Sequence, residues 1–249
     1  MTNRLAKKLA DLMDKAIPYL SWYARRLRSR GIAYRLIEWQ QRDPHNQLLY
    51  EHPLGPDSVF IDLGGFRGDF SAEILARYQC RSLIFEPVPS YAEKIQYRLE
   101  NNAQAEIVAA GLAAEASTMS LSIAGESTSL YKSDGQQINA TLLQFEDAMR
   151  ERDIQHIDLL KINIEGGEYD LLDWLVSSQW AQRIDRLLVQ FHDFVPDAEA
   201  RRSRLIQALG KTHEPYFGVP FVWEGWIRRA AQSTNHASAT DSQTTAKAA

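Results

Sequence analysis

The sequence predicts an α/β fold: a mostly parallel sheet covered by helices on both faces. Two observations carry this. Short apolar runs, "SVFIDL", "SLIFE", "AEIVAA", "IDLLKINI" and "RLLVQF", recur along the middle of the chain, each too brief for an independent helix. Helical patterns such as "FSAEILARY", "SYAEKIQYRLENN" and "EYDLLDWLV" lie between several of them, and that alternation is the signature of parallel strands joined by crossover helices.

Taken in order, the elements fall into three zones. Residues 1–53 are helical in pattern and basic. Leu5, Leu9, Leu12, Met13, Ala16 and Ile17 recur at helical spacing until Pro18 interrupts them. "YLSWYARRLRSRG" then mixes aromatics with Arg25, Arg26, Arg28 and Arg30, Gly31 suits a helix stop, and "IAYRLIEWQ" resumes the period. Two readings stand side by side: a helical cover with solvated arginines, or a basic amphipathic face that rests on an anionic membrane or a lipid-linked substrate.

Residues 54–229 hold the strand and helix alternation. Between "AEIVAA" and "IDLLKINI" the rule slackens, since "TMSLSIAG" alternates with period two and suits an antiparallel excursion with one wet face. Near the end "YFGVPFVWEGWIRR" reads as an aromatic hairpin, so the sheet is expected to be mixed at its far edge. Residues 230–249 contain no large apolar residue. Such a segment cannot bury enough surface to offset its ordering, and a disordered tail is expected.

Composition narrows the function classes. A formal charge of −4 gives no global attraction to nucleic acid. The single cysteine, Cys80, rules out an internal disulfide and fits a reducing compartment. No apolar run approaches a membrane span, and the N-terminus lacks the apolar core of a secretory signal. A cytoplasmic protein is expected.

The stretch "VFIDLGGFRGDFS" is a buried-strand pattern that ends in Asp62 and runs into Gly64, Gly65 and Gly68. In open parallel sheets ligands bind at such carboxyl ends. The dinucleotide fingerprint needs G-x-G-x-x-G, and the frame here is shorter and preceded by an acid. A phosphate loop needs Gly-Lys-Ser or Gly-Lys-Thr, and none follows. A ligand without phosphates fits, and S-adenosylmethionine (SAM) is one: glycines let the backbone approach it closely. Its ribose needs a carboxylate, and Glu86 ends the next strand at the separation expected of a ribose-binding acid. NAD stays open as the alternative ligand, because Glu86 also suits an unphosphorylated ribose.

With "VFIDLGGFRGDFS", "IFEPVPSYAEKI", "LLKINIEGGEYDLL" and "LLVQFHDF" in order, the chain resembles the FkbM-type SAM-dependent methyltransferases over most of residues 54–229. The resemblance implies a class I methyltransferase (Rossmann-like) fold, with a seven-stranded sheet whose last strand is antiparallel. It implies SAM as cofactor and O-methylation, commonly of sugar or polyketide-derived hydroxyls. It also places Asp62, Gly64, Gly65, Gly68, Phe70, Glu86, Pro87 and Gly111 at the cofactor. The first zone and the tail lie outside it.

Transfer to a hydroxyl benefits from a base near the acceptor oxygen. Lys161, Asn163 and Glu165 alternate along "LLKINIEGGE" and are expected on one face of a core strand, where polar residues need partners. Glu165 is a candidate for substrate contact or cofactor ordering, Lys161 for that or for a structural ion pair, and Glu168 for capping the next helix. The family usually has Asp where this chain has Asn163. An amide cannot act as base and is a weaker metal ligand, but it can donate and accept hydrogen bonds. That substitution keeps open a non-catalytic, SAM-binding protein. His192, just past the next strand, is the base candidate, expected neutral near pH 7, with Asp193 beside it. Glu165, His192 and Asp193 are also the competing metal set. No dense acidic cluster adjoins the motifs, so no metal is expected.

Overall fold

A computed structural model describes residues 31–124, 127–129 and 136–229. The basic stretch with Arg25, Arg26, Arg28 and Arg30, and the tail expected to be disordered, lie outside these. By its internal contacts the chain divides into two units, Met1–Pro44 and His45–Ala249. In the first, residues 31–42 form helix α1. Among the described residues no helix is long and apolar enough to cross a membrane.

The second unit begins with the one-turn helix α2 (Gln47–Tyr50). There follow β1 (Val59–Leu63), α3 (Asp69–Tyr78), β2 (Arg81–Phe85), α4 (Pro89–Arg98) and β3 (Ala105–Val108). Then come β4 (Gly111–Ala113), β5 (Ser117–Ala124), β6 (Ser127–Ser129), β7 (Gln136–Gln144) and α5 (Phe145–Arg150). The chain continues through β8 (Ile157–Ile162), α6 (Glu168–Ser177), a 3₁₀ turn (Trp180–Arg183), β9 (Ile184–Val189) and α7 (Ala198–Leu209), and finishes with β10 (His213–Val219) and β11 (Trp223–Arg228).

The main sheet has seven strands in the order β10-β11-β9-β8-β1-β2-β3. Strands β3, β2, β1, β8 and β9 run parallel, while β11 is antiparallel to both β9 and β10. The expected aromatic hairpin is therefore β10–β11, and β11 alone runs against the rest. From β1 the chain steps outward to β2 and β3, and from β8 it steps the other way to β9. Right-handed crossovers in opposite directions put their helices on opposite faces. The side chains of β2 agree: Ile84 packs with Leu75 of α3 and Ile95 of α4, whereas Leu83 and Phe85 belong to the larger core with Leu172 and Leu175 of α6. The reversal of direction between β1 and β8 opens a crevice at their carboxyl ends.

The period-two segment "TMSLSIAG" does pair antiparallel, β5 with β6 and β7. It is not part of the main sheet. Together with β4 it builds a separate four-stranded sheet, in the order β4-β7-β5-β6.

Candidate active site

The site begins where β1 ends. Gly64 and Gly65 both donate their N–H to Phe85 O at 2.9 and 3.3 Å, so the turn is tied to the end of β2. Gly64 has φ +84°, and a Cβ there would sit 2.0 Å from Asn163 O. Only glycine permits this approach of β1 to β8. Gly65 is required for a different reason, because its Cβ would stand 2.4 Å from Ile84 Cγ2 and 2.9 Å from Ile95 Cδ1. Gly68 caps α3.

Asp62 and Lys161 are paired in register across β1 and β8. The Lys161 ammonium donates to Asp62 Oδ1 and to Gly64 O, both at 2.7 Å. Ser71 Oγ donates to Asp62 Oδ2 at 2.6 Å. Asp62 and Lys161 are both buried. Asp62 thus braces the glycine turn, and Lys161 is its buried ion-pair partner. Phe70 lies beside them, with Lys161 Nζ 5.7 Å from its ring centre and the rings of Tyr50 and Phe60 at 5.0 and 5.9 Å.

Glu86 follows the last residue of β2 and is buried. Its Oε2 accepts from Phe66 N–H and its Oε1 from Val88 N–H, at 2.8 and 2.9 Å. Each oxygen keeps capacity for one more donor. Burial pushes the carboxyl up to about 7, against the pull of those two N–H groups and of Lys161. Phe66 holds its N–H toward Glu86 from a left-handed conformation, φ 52°, which costs a non-glycine residue of order 1 kcal/mol or more. Sequence reading missed Phe66, since nothing in "GGFRG" marks which of its five residues is strained. Pro87 and Gly111 are neighbours, a Cβ on Gly111 lying 3.6 Å from Pro87 Cβ and 2.6 Å from Leu142 Cδ2.

Lys161, Asn163 and Glu165 do not share one strand face. β8 ends at Ile162, because the chain turns at Glu165 (φ 51°) and Gly166 (φ 111°). Asn163 N–H donates to Leu63 O at 3.0 Å, and its buried side-chain Oδ1 accepts no hydrogen bond from the described residues. Glu165 is 31% exposed and stands 3.6 Å from His192 Nε2.

Glu168 starts α6, as the capping expectation requires, but it is 0% exposed. Its Oε2 accepts from Gly166 N–H at 2.8 Å. Its Oε1 accepts from His192 N–H at 2.8 Å and lies 3.1 Å from His192 Nδ1. His192 is therefore held between two carboxylates. Burial alone would lower its pKa, but hydrogen bonding to Glu165 and Glu168 outweighs that and pushes it up to about 9. This shift runs against the expectation of a neutral imidazole near pH 7, since both carboxylates favour the imidazolium. Tyr169 OH donates to His192 O at 2.8 Å, and the ring of Phe194 lies 5.1 Å from that of His192.

A second titratable cluster, His156, Asp158 and Asp185, has ligand atoms within 4.8 Å of one another. It sits at the opposite, amino ends of β8 and β9. Val59 N–H is bonded to Asp158, and Arg228 and His156 to Asp185, so these groups clasp the strands together.

Counted along the chain within the main sheet alone, β1, β2, β3, β8, β9, β10 and β11 are strands one to seven; their order 3-2-1-4-5-7-6, with the reversed β11 as the seventh, a glycine turn after the first and a buried carboxylate after the second, is that of a class I SAM-dependent methyltransferase. The Methyltransferase FkbM domain matches residues 62–213, more than half of the chain, and the chain belongs to that family. It is similar to Methyltransferase 1 of Beauveria bassiana (strain ARSEF 2860), 25% identical over 180 residues that cover 61% of this chain and 72% of the relative. Similar solved structures include an rRNA methylase from Streptococcus thermophilus, at 13% identity and TM-score 0.43, covering 70% of this chain and 89% of that one. Another is fibrillarin from Aeropyrum pernix with natively bound S-adenosyl-L-methionine, at 13% identity and TM-score 0.42, covering 71% and 68%. Family membership decides between SAM and NAD in favour of SAM. The residues fit it: Glu86 has one acceptor position left on each oxygen for a ribose diol, and Asn163 Oδ1 offers a buried acceptor beside the glycine turn.

Proposed function

We propose that the protein transfers methyl from SAM to a hydroxyl of a carbohydrate, glycolipid or related natural-product acceptor. The observation that carries this reading is the Glu165–His192–Glu168 cluster, three titratable side chains gathered by the loops that follow the carboxyl ends of β8 and β9. A hydroxyl is a poor nucleophile until its proton leaves, and a positioned base contributes roughly 10² to 10⁴.

The bound cofactor supplies a methyl group activated by its sulfonium. The protein's part is to bind, orient and take a proton. Gly64 and Gly65 keep the turn free of side chains, Glu86 accepts the ribose hydroxyls, and Asn163 Oδ1 accepts a donor from the same ligand. On the acceptor side, Glu168 is buried and already accepts from Gly166 and His192, and the two carboxylates push the pKa of His192 up to about 9. The group assigned to take the acceptor's proton is Glu165, half-buried and 3.6 Å from His192 Nε2. His192 orients Glu165 and the acceptor oxygen through Nε2–H.

The test is incubation with methyl-labelled SAM and a panel of cell-envelope glycan and glycolipid extracts, followed by linkage analysis. Label in an alkali-stable ether supports the reading. Label in an ester or an amine, or SAM binding with no transfer to any hydroxyl acceptor, overturns it.

A further inference from the structure

Burying a carboxylate is unfavourable unless donors surround it, so the donors around a fully buried one indicate what it is there to hold. Glu168 is such a group, and a helix cap does not describe it. A capping acid accepts from N–H groups of its own first turn, and Asp170 is available in that turn of α6. Glu168 instead reaches backward to Gly166 N–H, in the left-handed turn after β8, and sideways to the backbone and the ring of His192 after β9. One carboxylate therefore joins the two loops that carry Glu165 and His192.

We infer that Glu168 is the positioning residue of the acceptor side, fixing His192 with a proton on Nδ1 so that Nε2 is the atom turned toward Glu165 and the acceptor. Oε1 can accept from Nδ1 only if that nitrogen carries hydrogen, and a carboxylate facing a bare Nδ1 lone pair at 3.1 Å would repel it. The backbone bond from His192 N–H to the same oxygen removes freedom to rotate away. Tyr169, the next residue of α6, donates to His192 O and holds the loop from below. The groups facing the imidazole or close behind it are Glu165 from the turn after β8, Glu168 and Tyr169 from α6, and Asp193 and Phe194 from its own loop. Arg201 and Arg202 of α7 lie over Tyr169 and Phe191. The inference rests on the proposed acceptor chemistry for its consequence, but its geometry is independent of the acceptor.

The experiment uses full-length protein labelled with ¹⁵N and ¹³C at its six histidines, with His192→Gln to assign the resonance. About one unit above the titration midpoint, the neutral His192 ring should carry its proton on Nδ1. In Glu168→Gln the midpoint should fall by roughly one unit or more, a tenfold loss of proton affinity, with part of the ring shifting to Nε2–H. Glu168→Asp should fall in between. SAM affinity should stay within about twofold in both variants, and turnover on a hydroxyl acceptor should drop roughly tenfold or more in kcat with little change in KM. A wild-type ring protonated on Nε2, or an unchanged midpoint in folded Glu168→Gln, overturns the assignment. If Glu168→Gln does not fold, the wild-type tautomer decides alone. Failure of methyl transfer by the wild type would sink the proposed function and leave the tautomer result standing.

Discussion

Asp62 on β1 and Lys161 on β8 face each other in register and close a 2.7 Å ion pair with side chains 0% and 5% exposed. Lys161 also donates to Gly64 O, so the pair fixes the height of the glycine turn above the sheet. Removing one partner leaves an uncompensated buried charge, which typically costs about 3–5 kcal/mol. Lys161→Met is therefore expected to lower stability by that order in chemical denaturation. The double variant Asp62→Asn/Lys161→Met should recover part of the loss. Near-wild-type stability of Lys161→Met would show that the pair contributes little.

For Glu86 the expectation concerns protons. Burial holds its carboxyl up at about 7, and hydroxyl donors favour the ionised form, so SAM should bind more tightly as pH rises through about 7. At and below that pH, binding should release a proton. Calorimetry in buffers of different ionisation enthalpy should show this as a buffer-dependent heat, absent in Glu86→Gln. The substitution should also weaken binding by about 1.5–3 kcal/mol per charge-assisted hydrogen bond lost.

His192 contributes a stability term of opposite sense. Its folded pKa is raised to about 9, while an unfolded imidazole titrates near 6.5. The stabilisation is fully present below about 6.5 and is lost as pH rises through about 9. Its size is up to about 3 kcal/mol at 1.36 kcal/mol per unit. His192→Ala should therefore flatten the decline in melting temperature between pH 6.5 and 9. A decline as steep as in the wild type would place the responsible group elsewhere.

Gly65→Ala tests the close contact beneath the turn. Its backbone angle suits alanine, so the effect isolates the collision with Ile84 and Ile95. Overpacking of this kind typically costs about 1–3 kcal/mol. SAM affinity should fall together with stability, because the turn moves as a unit with Phe85 O. Unchanged binding in the folded variant would mean that the turn tolerates the displacement.

The sheet was legible because its strands are apolar runs with helical spacing between them, and Gly64, Gly65 and Glu86 were legible because a turn and a strand-end acid stand at fixed separation. The polar trio at the end of β8 was misread as a strand face. Period two predicts a face only while the strand lasts, and nothing apolar marks its end at Ile162. Glu168 was visible as an acid at a helix start, but its burial depends on the loop after β9, which meets it only in three dimensions. The charge of His192 was hidden for the same reason: its two carboxylate neighbours lie 24 and 27 positions away. Phe66 gave no signal at all, since a strained φ is imposed by the surroundings.

The pairing of β1 with β8 has a consequence for how the chain is made. Asp62 and Lys161 are separated by 99 positions, while β1, β2 and β3 are near neighbours in sequence. During synthesis at about 5–20 residues per second, β1 emerges roughly 5–20 seconds, and β3 roughly 3–11 seconds, before β8 can join them. Through that interval one edge of β1 has no neighbour, and Asp62 has no ammonium. A nascent chain in this state is exposed to edge-to-edge association, and SAM cannot yet chaperone it, because the crevice that would hold the cofactor has only one wall.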